Sequence, residues 1–509
     1  MVRLFRRPAW LLLGLLPLIA VGWWSYQHVG TGFMPPLDEG GFVLDYTAPP
    51  GTSLDETNRL LHQVGDILNH MPDVSTYSRR TGAQMGGGIT EAYTGDFFVR
   101  LKAPPRPKTE AVMEKVRKKV EQQVPGLDIE LAQLVEDEIG DLTSVPQPIE
   151  IKLYGNDVGQ LRKIAPHVAH AIRGIPGVVD VKNGVVYAGD SLRINVNRVK
   201  AAMEGITPQQ VTQQLHAYLH GETTTRVQLA NKFVGVRTTL PRDMRGHTGQ
   251  LEKLLLRAPD GHVFPLGRVA SIKTVSGQPQ ITRENLKTMV PVTGRIAGRS
   301  LGKTIADVKT ALGKKGLLPD GVSYELGGLY KQQQIAFRGL IAVFAAAVAL
   351  VFLLLLFLYE RFRIAIAVMV CPMLASMAVF IGLWLTGVEL NITAMMGMTM
   401  VIGIVTEVAI FYFSELMITA HGGFSPAQLI RAGENRLRPI AMTTLAFVFA
   451  LVPLALGLGQ GSAMQRPLAI AIISGLLLQM PLVLLMLPVV YRLLMTARTR
   501  RTRSKPGAT

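Results

Sequence analysis

Glu407 is the residue in this sequence whose placement most demands a chemical explanation. It lies in the middle of the apolar run 393–416 and is the only formally charged side chain deep within any long hydrophobic stretch; Glu415 falls at the end of the same run. A charged group near mid-bilayer costs about 3 kcal/mol on insertion scales. Low dielectric favours the neutral form of a carboxyl, so such groups take up and release protons near physiological pH. Glu407 therefore reads as a proton-binding residue, against the plainer alternative of a polar group satisfied by a backbone or hydroxyl neighbour. A second set of carboxylates, Glu136, Asp137, Glu138 and Asp141, lies outside the apolar runs. Oxygen donors at that spacing attract divalent or organic cations, although a solvated charge run at a strand–loop junction has the same pattern. His216 and His220 stand four apart on a predicted helix, with no third ligand nearby, and read as a surface feature rather than a metal site. Most of the 21 methionines fall in apolar runs or on helix faces, where packing accounts for them.

The elements that must position these groups begin with the apolar runs. A hydrocarbon core of about 30 Å needs about 20 apolar residues in a helix, and six stretches qualify: 9–27, 335–358, 364–386, 393–416, 439–459 and 467–490. Pro481 and Pro488 predict a kink or tilt in the last. The net charge of +17 is concentrated at the flanks. Arg3, Arg6 and Arg7 precede the first run, and Arg492, Arg498, Arg500, Arg501 and Arg503 follow the last. This is the pattern of a chain obeying the positive-inside rule, not of a nucleic-acid site. With both termini cytoplasmic, the connector bearing Arg361 and Arg363 and the loop bearing Arg431, Arg436 and Arg438 fall on the same side, while residues 28–334 lie outside. The expectation is a multi-pass inner-membrane protein with one large external region. A single cysteine, Cys371, rules out an internal disulfide, so that region must hold together by core packing.

The external region reads as a repeat of strand–helix–strand–strand–helix–strand type. The first copy occupies 28–135, with Ser53 and Glu56 as a capping box opening its first helix. The second copy is split: its first part covers 136–183 and its second part 278–334, with an inserted unit at 184–277 between them. Segments 1–27, 335–490 and 491–509 complete the chain as the first membrane helix, five further membrane helices and a basic cytoplasmic tail. No P-loop or clustered zinc-ligand motif occurs in the external region, so the sequence gives no reason to expect a bound metal or a nucleotide cofactor.

Short tags then carry a resemblance. Phe33-Met34-Pro35-Pro36-Leu37-Asp38-Glu39-Gly40, Pro50-Gly51-Thr52-Ser53, Ile175-Pro176-Gly177-Val178, Arg436-Leu437-Arg438-Pro439 through Met442-Thr443, and Gly457-Leu458-Gly459-Gln460-Gly461-Ser462 occur in an order and spacing that resembles the C-terminal half of resistance–nodulation–division (RND) efflux permeases. The resemblance covers nearly the whole chain. It implies an α-helical bundle of six spans plus a periplasmic α+β region of two ferredoxin-like split β-α-β porter subdomains and an inserted docking subdomain. It implies proton-driven export of drugs, other xenobiotics or heavy-metal cations, and the chain is read as a transporter subunit, not an enzyme. The relay positions it carries over are Glu407, Arg436 and Thr443. A glutamate at position 407 matches the copper and silver branch, whereas Arg436 and Thr443 match the drug branch. The methionine trio of the copper and silver branch falls on Asp45, Thr94 and Gly140, so soft-metal binding of that type is not expected. Asp45, Thr94, Asp137, Glu138 and Asp141 remain as substrate-binding candidates. The implied partners are a separate N-terminal half supplying the relay aspartates, a homotrimer-like assembly, a periplasmic adaptor, an outer-membrane channel and the lipid bilayer. The competing reading is an orphaned half that serves as a non-transporting membrane scaffold.

Overall fold

The computed structural model describes all residues except 1–8, 36, 84–89, 144–146, 187–190, 242–243, 245–247, 276–280, 315, 420–424, 460 and 495–509. The chain opens with helix α1 (Ala9–His28) and then builds a first α/β unit from β1 (Gly41–Thr47), α2 (Leu54–Asn69), β2 (Val74–Thr81), β3 (Thr94–Leu101), α3 (Thr109–Gln123) and β4 (Asp128–Gln133). Alternation along the strands sends Phe42, Leu44, Tyr46, Phe97, Val99, Ile129 and Leu131 to one face of the sheet. There they meet Leu61, Val64 and Leu68 of α2 and Val112, Val116 and Val120 of α3. Ser53 caps α2 by accepting from the Glu56 amide. The linker before β1 is fixed by Asp38, whose carboxylate accepts from Arg106 at 2.6 Å and from the Thr109 hydroxyl at 2.7 Å. Glu39 accepts from the Val135 amide at 2.9 Å.

A short helix, α4 (Leu134–Thr143), leads to the second unit: β5 (Ile149–Tyr154), α5 (Val158–Arg173), β6 (Val178–Lys182), then much later β14 (Lys287–Ile296), α9 (Leu301–Leu312) and β15 (Ser323–Leu326). The strand order is β2-β3-β1-β4 in the first sheet and β6-β14-β5-β15 in the second, with β13 (Thr282–Glu284) also pairing with β14. Neighbouring strands are antiparallel in both sheets. Between β6 and β13 lies the inserted unit. It contains β7 (Ser191–Val196), α6 (Arg198–Met203), α7 (Pro208–His220), β8 (Glu222–Leu229), β9 (Lys232–Thr238), α8 (Thr248–Glu252), β10 (Leu255–Arg257), β11 (Val263–Pro265) and β12 (Ala270–Val275). Its small core includes Ile206, Val211, Leu215, Leu256, Phe264 and Leu266, and the β8–β9 hairpin stands exposed along both strands.

Five helices are long and apolar enough to cross a membrane among the described residues. They are α10 (Gly328–Tyr359), α11 (Phe362–Thr386), α12 (Ile392–Thr419), α13 (Pro426–Ala455) and α14 (Ser462–Pro481). The remaining expected span, α1, is a 20-residue helix outside those five that packs against α11. Small residues let the central helices approach closely. A methyl on Gly397 would lie 2.9 Å from Ala471, and one on Gly475 would lie 2.6 Å from Val401. Two sequence expectations need correction. Arg431, Arg436 and Arg438 sit on a helix, because Ser425 and Gln428 form a capping box that starts α13 well before the apolar stretch. Glu136, Asp137 and Glu138 likewise lie in the first turns of α4 instead of a loop. Acidic residues there face the positive end of the helix dipole. Beyond Pro481 the last helix runs through a π-turn at Leu482–Met486, where the proline interrupts the α-helical hydrogen-bond pattern.

The two α/β units are joined by buried ion pairs. Arg117 on α3 reaches Asp180 on β6 at 2.8 and 2.9 Å, and Asp180 also accepts from the Leu131 amide. Both side chains are almost fully withdrawn from water. Removing one partner of such a pair leaves an uncompensated buried charge, costing ~3–5 kcal/mol. Arg117→Met should therefore lower the thermal midpoint of the α/β region by several degrees, with partial recovery on adding Asp180→Asn; circular dichroism melts of the purified chain check this.

Candidate functional site

The face of the first sheet opposite its helices carries a row of acids. Register alone creates it: Asp45 at the middle of β1 lies directly opposite Asp96 on β3 and directly opposite Glu130 on β4. All three occupy the phase of the alternation that points away from the α2–α3 core. Like charges side by side on neighbouring strands are destabilising, and the site contains the cations that offset them. Arg80 on β2 grips Asp96 through two bonds of 2.8 and 2.6 Å. Arg295, from β14 of the second unit and only 3% exposed, donates to Glu130 at 2.6 Å and to Glu136 at 3.0 Å. A third guanidinium nitrogen lies 3.9 Å from Asp137. Lys182 on β6 and the Gln147 amide also bond Glu130.

These neighbours split the acids into two kinds. Burial alone would raise the Glu130 pKa, but Arg295 and Lys182 outweigh it and bring the value down to about 2. Arg295 is itself disfavoured as a cation by burial, yet Glu130, Glu136 and Asp137 raise its pKa further above the ordinary range. Asp45 has no such partner: burial, reinforced by the charges on Asp137 and Glu130, pushes it up to about 7 despite the pull of Lys182. The row thus holds fixed charges flanking one carboxyl that changes protonation near neutrality. Higher on the same face, Thr76, Ser78, Phe98, Arg100 and Glu39 line an open cleft of ≈ 430 Å³.

Of the substrate-binding residues expected from sequence, the structure brings Asp45 and Asp137 together at this row. Thr94, opposite Thr47 at the start of β3, shares the face and bonds its hydroxyl to the Glu91 carbonyl. Glu138 is exposed on α4, and the side chain of Asp141 lies outside the described residues. Asp96, Glu130, Arg80, Lys182 and Arg295 were not identified by sequence reasoning. The phase of alternation marks the first two as off-core, but only strand pairing shows that they adjoin Asp45. Among the described residues, no three His, Cys, Asp or Glu side chains are placed to hold a metal ion.

In the membrane bundle, the exposed positions of α12 include Met396, Met400, Gly403, Glu407 and Phe411, spaced three and four apart along one stripe. Glu407 makes no hydrogen bond or ion pair among the described residues; it faces away from the chain's own bundle. Arg436 does not reach it. Its guanidinium bonds Glu415 at 3.0 and 3.1 Å, with Asn435 on the other carboxylate oxygen. That places the pair about 12 Å further along α12, at 1.5 Å per residue. Thr443 is exposed on α13 and returns its hydroxyl to the Pro439 and Ile440 carbonyls. The three expected relay residues therefore stand at separate positions on the surface of two adjacent helices.

The profile of the AcrB/AcrD/AcrF family matches residues 1–495, and the chain belongs to that family and with it to the RND superfamily. It is 28% identical to the cobalt-zinc-cadmium resistance protein CzcA of Cupriavidus metallidurans over 92% of this chain and 45% of that protein. It is 26% identical to the multidrug resistance protein MdtC of Escherichia coli over 97% of this chain and 48% of that one. The X-ray crystal structure of a heavy metal efflux pump superposes with a TM-score of 0.84 at 25% identity, covering 95% of this chain and 50% of the pump. The chain spans about half the length of the curated relatives it matches.

Because Asp45 has a folded pKa of about 7 against an ordinary 3.8, the folded chain binds more protons than the unfolded chain between those values. The contribution of Asp45 to stability therefore falls as pH rises across that window and levels off above it. Asp45→Asn keeps the neutral form at every pH. It should raise the thermal midpoint at pH 8, by the equivalent of a few kcal/mol at most, and leave it nearly unchanged at pH 4. Melts of the two proteins at both pH values test this.

Proposed function

We propose that this chain is the C-terminal half of a proton-driven RND efflux permease that exports cations across the cell envelope and works with a separately supplied N-terminal half. The observation that carries this reading is the apolar stripe of α12 with Glu407 at its centre. A lone carboxyl directed into lipid is costly, so the stripe is a surface for a second helical bundle whose polar groups complete the relay. In that assembly Glu407 exchanges the proton, and Thr443, exposed on the neighbouring helix, supplies a hydroxyl at the same interface. Arg436 holds Glu415 as a charge-compensated pair near the cytoplasmic end, with both chain termini in the cytoplasm and α1 completing six spans.

The two α/β units are then periplasmic porter subdomains and the inserted unit docks toward an outer-membrane channel, within a trimer that also engages an adaptor. The acid row supports cationic cargo. Asp45 and Thr94 share one face of the first sheet with Asp137 beside it, and a carboxyl titrating near neutrality attracts a cation when ionised and lets it go when protonated. Relatives named for cobalt, zinc and cadmium favour divalent metals of intermediate softness over organic cations. Oxygen donors without the methionine trio disfavour soft cations and suit the harder end of that range.

Glu407→Gln, produced together with the N-terminal half, should reduce resistance to the exported cation to the level of cells lacking the permease. Zinc, cobalt and cadmium are to be compared with organic cations such as ethidium in the same strain. Wild-type resistance in the Glu407→Gln strain would remove this residue from the mechanism, and protection confined to organic cations would replace metals as the substrate class.

A further inference from the structure

We propose that the five residues after α1, Val29–Gly30–Thr31–Gly32–Phe33, are a mechanical joint that transmits displacement of α12 to the second α/β unit. Three elements, α12, α9 and α10, converge on this short segment as it leaves α1. From α12, the Leu390 amide just before the helix donates to the Gly30 carbonyl at 2.8 Å, and the Leu390 carbonyl accepts from the Gly32 amide at 3.1 Å, forming a parallel bridge between Thr31 and Leu390. From the second unit, the Gly302 amide in the first turn of α9 donates to the Thr31 carbonyl at 3.1 Å. From α10, the buried Gln333 side chain donates to the Gly32 carbonyl at 2.9 Å. The Lys303 ammonium reaches back to the His28 carbonyl at the end of α1.

The segment is anchored in two cores at once. Val29 belongs to the apolar core of the membrane bundle, and Phe33 packs against the core of the second unit. Glycine leaves room where the elements touch. A methyl at Gly302 would run into the Thr31 hydroxyl, one at Gly32 into the Glu389 carboxylate, and one at Gly30 would lie 2.9 Å from the Ser300 side chain. Backbone bonds of this kind have no slack of the sort a long side chain provides. Packed elements respond to displacement by shifting between discrete arrangements more readily than by deforming continuously. The start of α12 is rigid on its own side, because Asn391, 1% exposed, caps the helix by accepting from the Ala394 amide. A shift of α12 along its axis therefore pulls on residues 30–32 and, through Thr31, on the first turn of α9.

The functional meaning of this joint rests on the proposed role of Glu407, but the joint itself is tested without it. Hydrogen–deuterium exchange is read on the full chain in nanodiscs, perturbing one side and observing the other. Gly302→Val, on the α9 side, should speed exchange of the amides at 390–395 about tenfold or more while leaving 407–419 unchanged. Asn391→Ala removes a helix cap and, by the usual worth of caps, should speed exchange at 300–305 about fivefold; this milder variant reads the same coupling if Gly302→Val does not fold. Faster exchange confined to the mutated element and residues 28–33 in both variants would overturn the proposal. Resistance lost in Glu407→Gln with exchange coupling intact, or the reverse, separates failure of the joint from failure of the relay.

Discussion

A guanidinium withdrawn from water, Arg295, is what allows this architecture to place several carboxylates on one sheet face. It comes from the second α/β unit and is neutralised by Glu130, Glu136 and Asp137 of the first unit and its connecting helix. Desolvating such a cation is expensive, and the return comes only when geometry and partners are complete. The interaction therefore fixes how the two units sit relative to one another. It also fixes the electrostatics of Asp45, which is left with excess negative neighbours and no cation of its own. Without Arg295, Glu130 would keep only Lys182 as a cationic partner and the row would carry more uncompensated charge.

The membrane half shows the complementary situation. The central helices α11, α12 and α14 close on one another through glycine and alanine contacts. The charge at Glu415 is matched within the chain by Arg436. Glu407 is not matched, and it sits on the stripe that the bundle leaves outward. A membrane helix that buries most of its surface and yet directs its one central carboxyl outward leaves that stripe uncovered by its own bundle. The extended segment after α1 links that helix to the second α/β unit by a short run of hydrogen bonds.

Much of the fold was legible because hydrophobic periodicity and topology leave strong marks. The helix carrying Ile305 and Val308 begins and ends where apolar spacing puts it, and the split second repeat has the same strand order as the first. The start of α13 was less visible, since Arg431, Arg436 and Arg438 look like loop charges until the Ser425 capping box is seen to pull them into the helix. At the site, Asp45 and Asp137 stood out, whereas Asp96, Glu130 and Arg295 did not. Arg295 is 165 positions from Glu130 in the chain, and no local pattern records a partner contributed by the other half of an interrupted repeat. The outward direction of Glu407 was equally hidden. The sequence shows that it lies in an apolar run, but the packing of α14 and α11 decides which face of that run is covered.

The central claim is that the Glu407 stripe is a protein interface. Its most direct test places a fluorophore at Met400 or Phe411 through single cysteines in a Cys371→Ser background and measures quenching by a lipid-borne nitroxide, with and without the N-terminal half in the same membrane. The account predicts strong quenching for the chain alone and marked protection when the other half is present, while a label at Phe357 of α10 stays quenched in both. Equal quenching at positions 400 and 411 in the two membranes would contradict it.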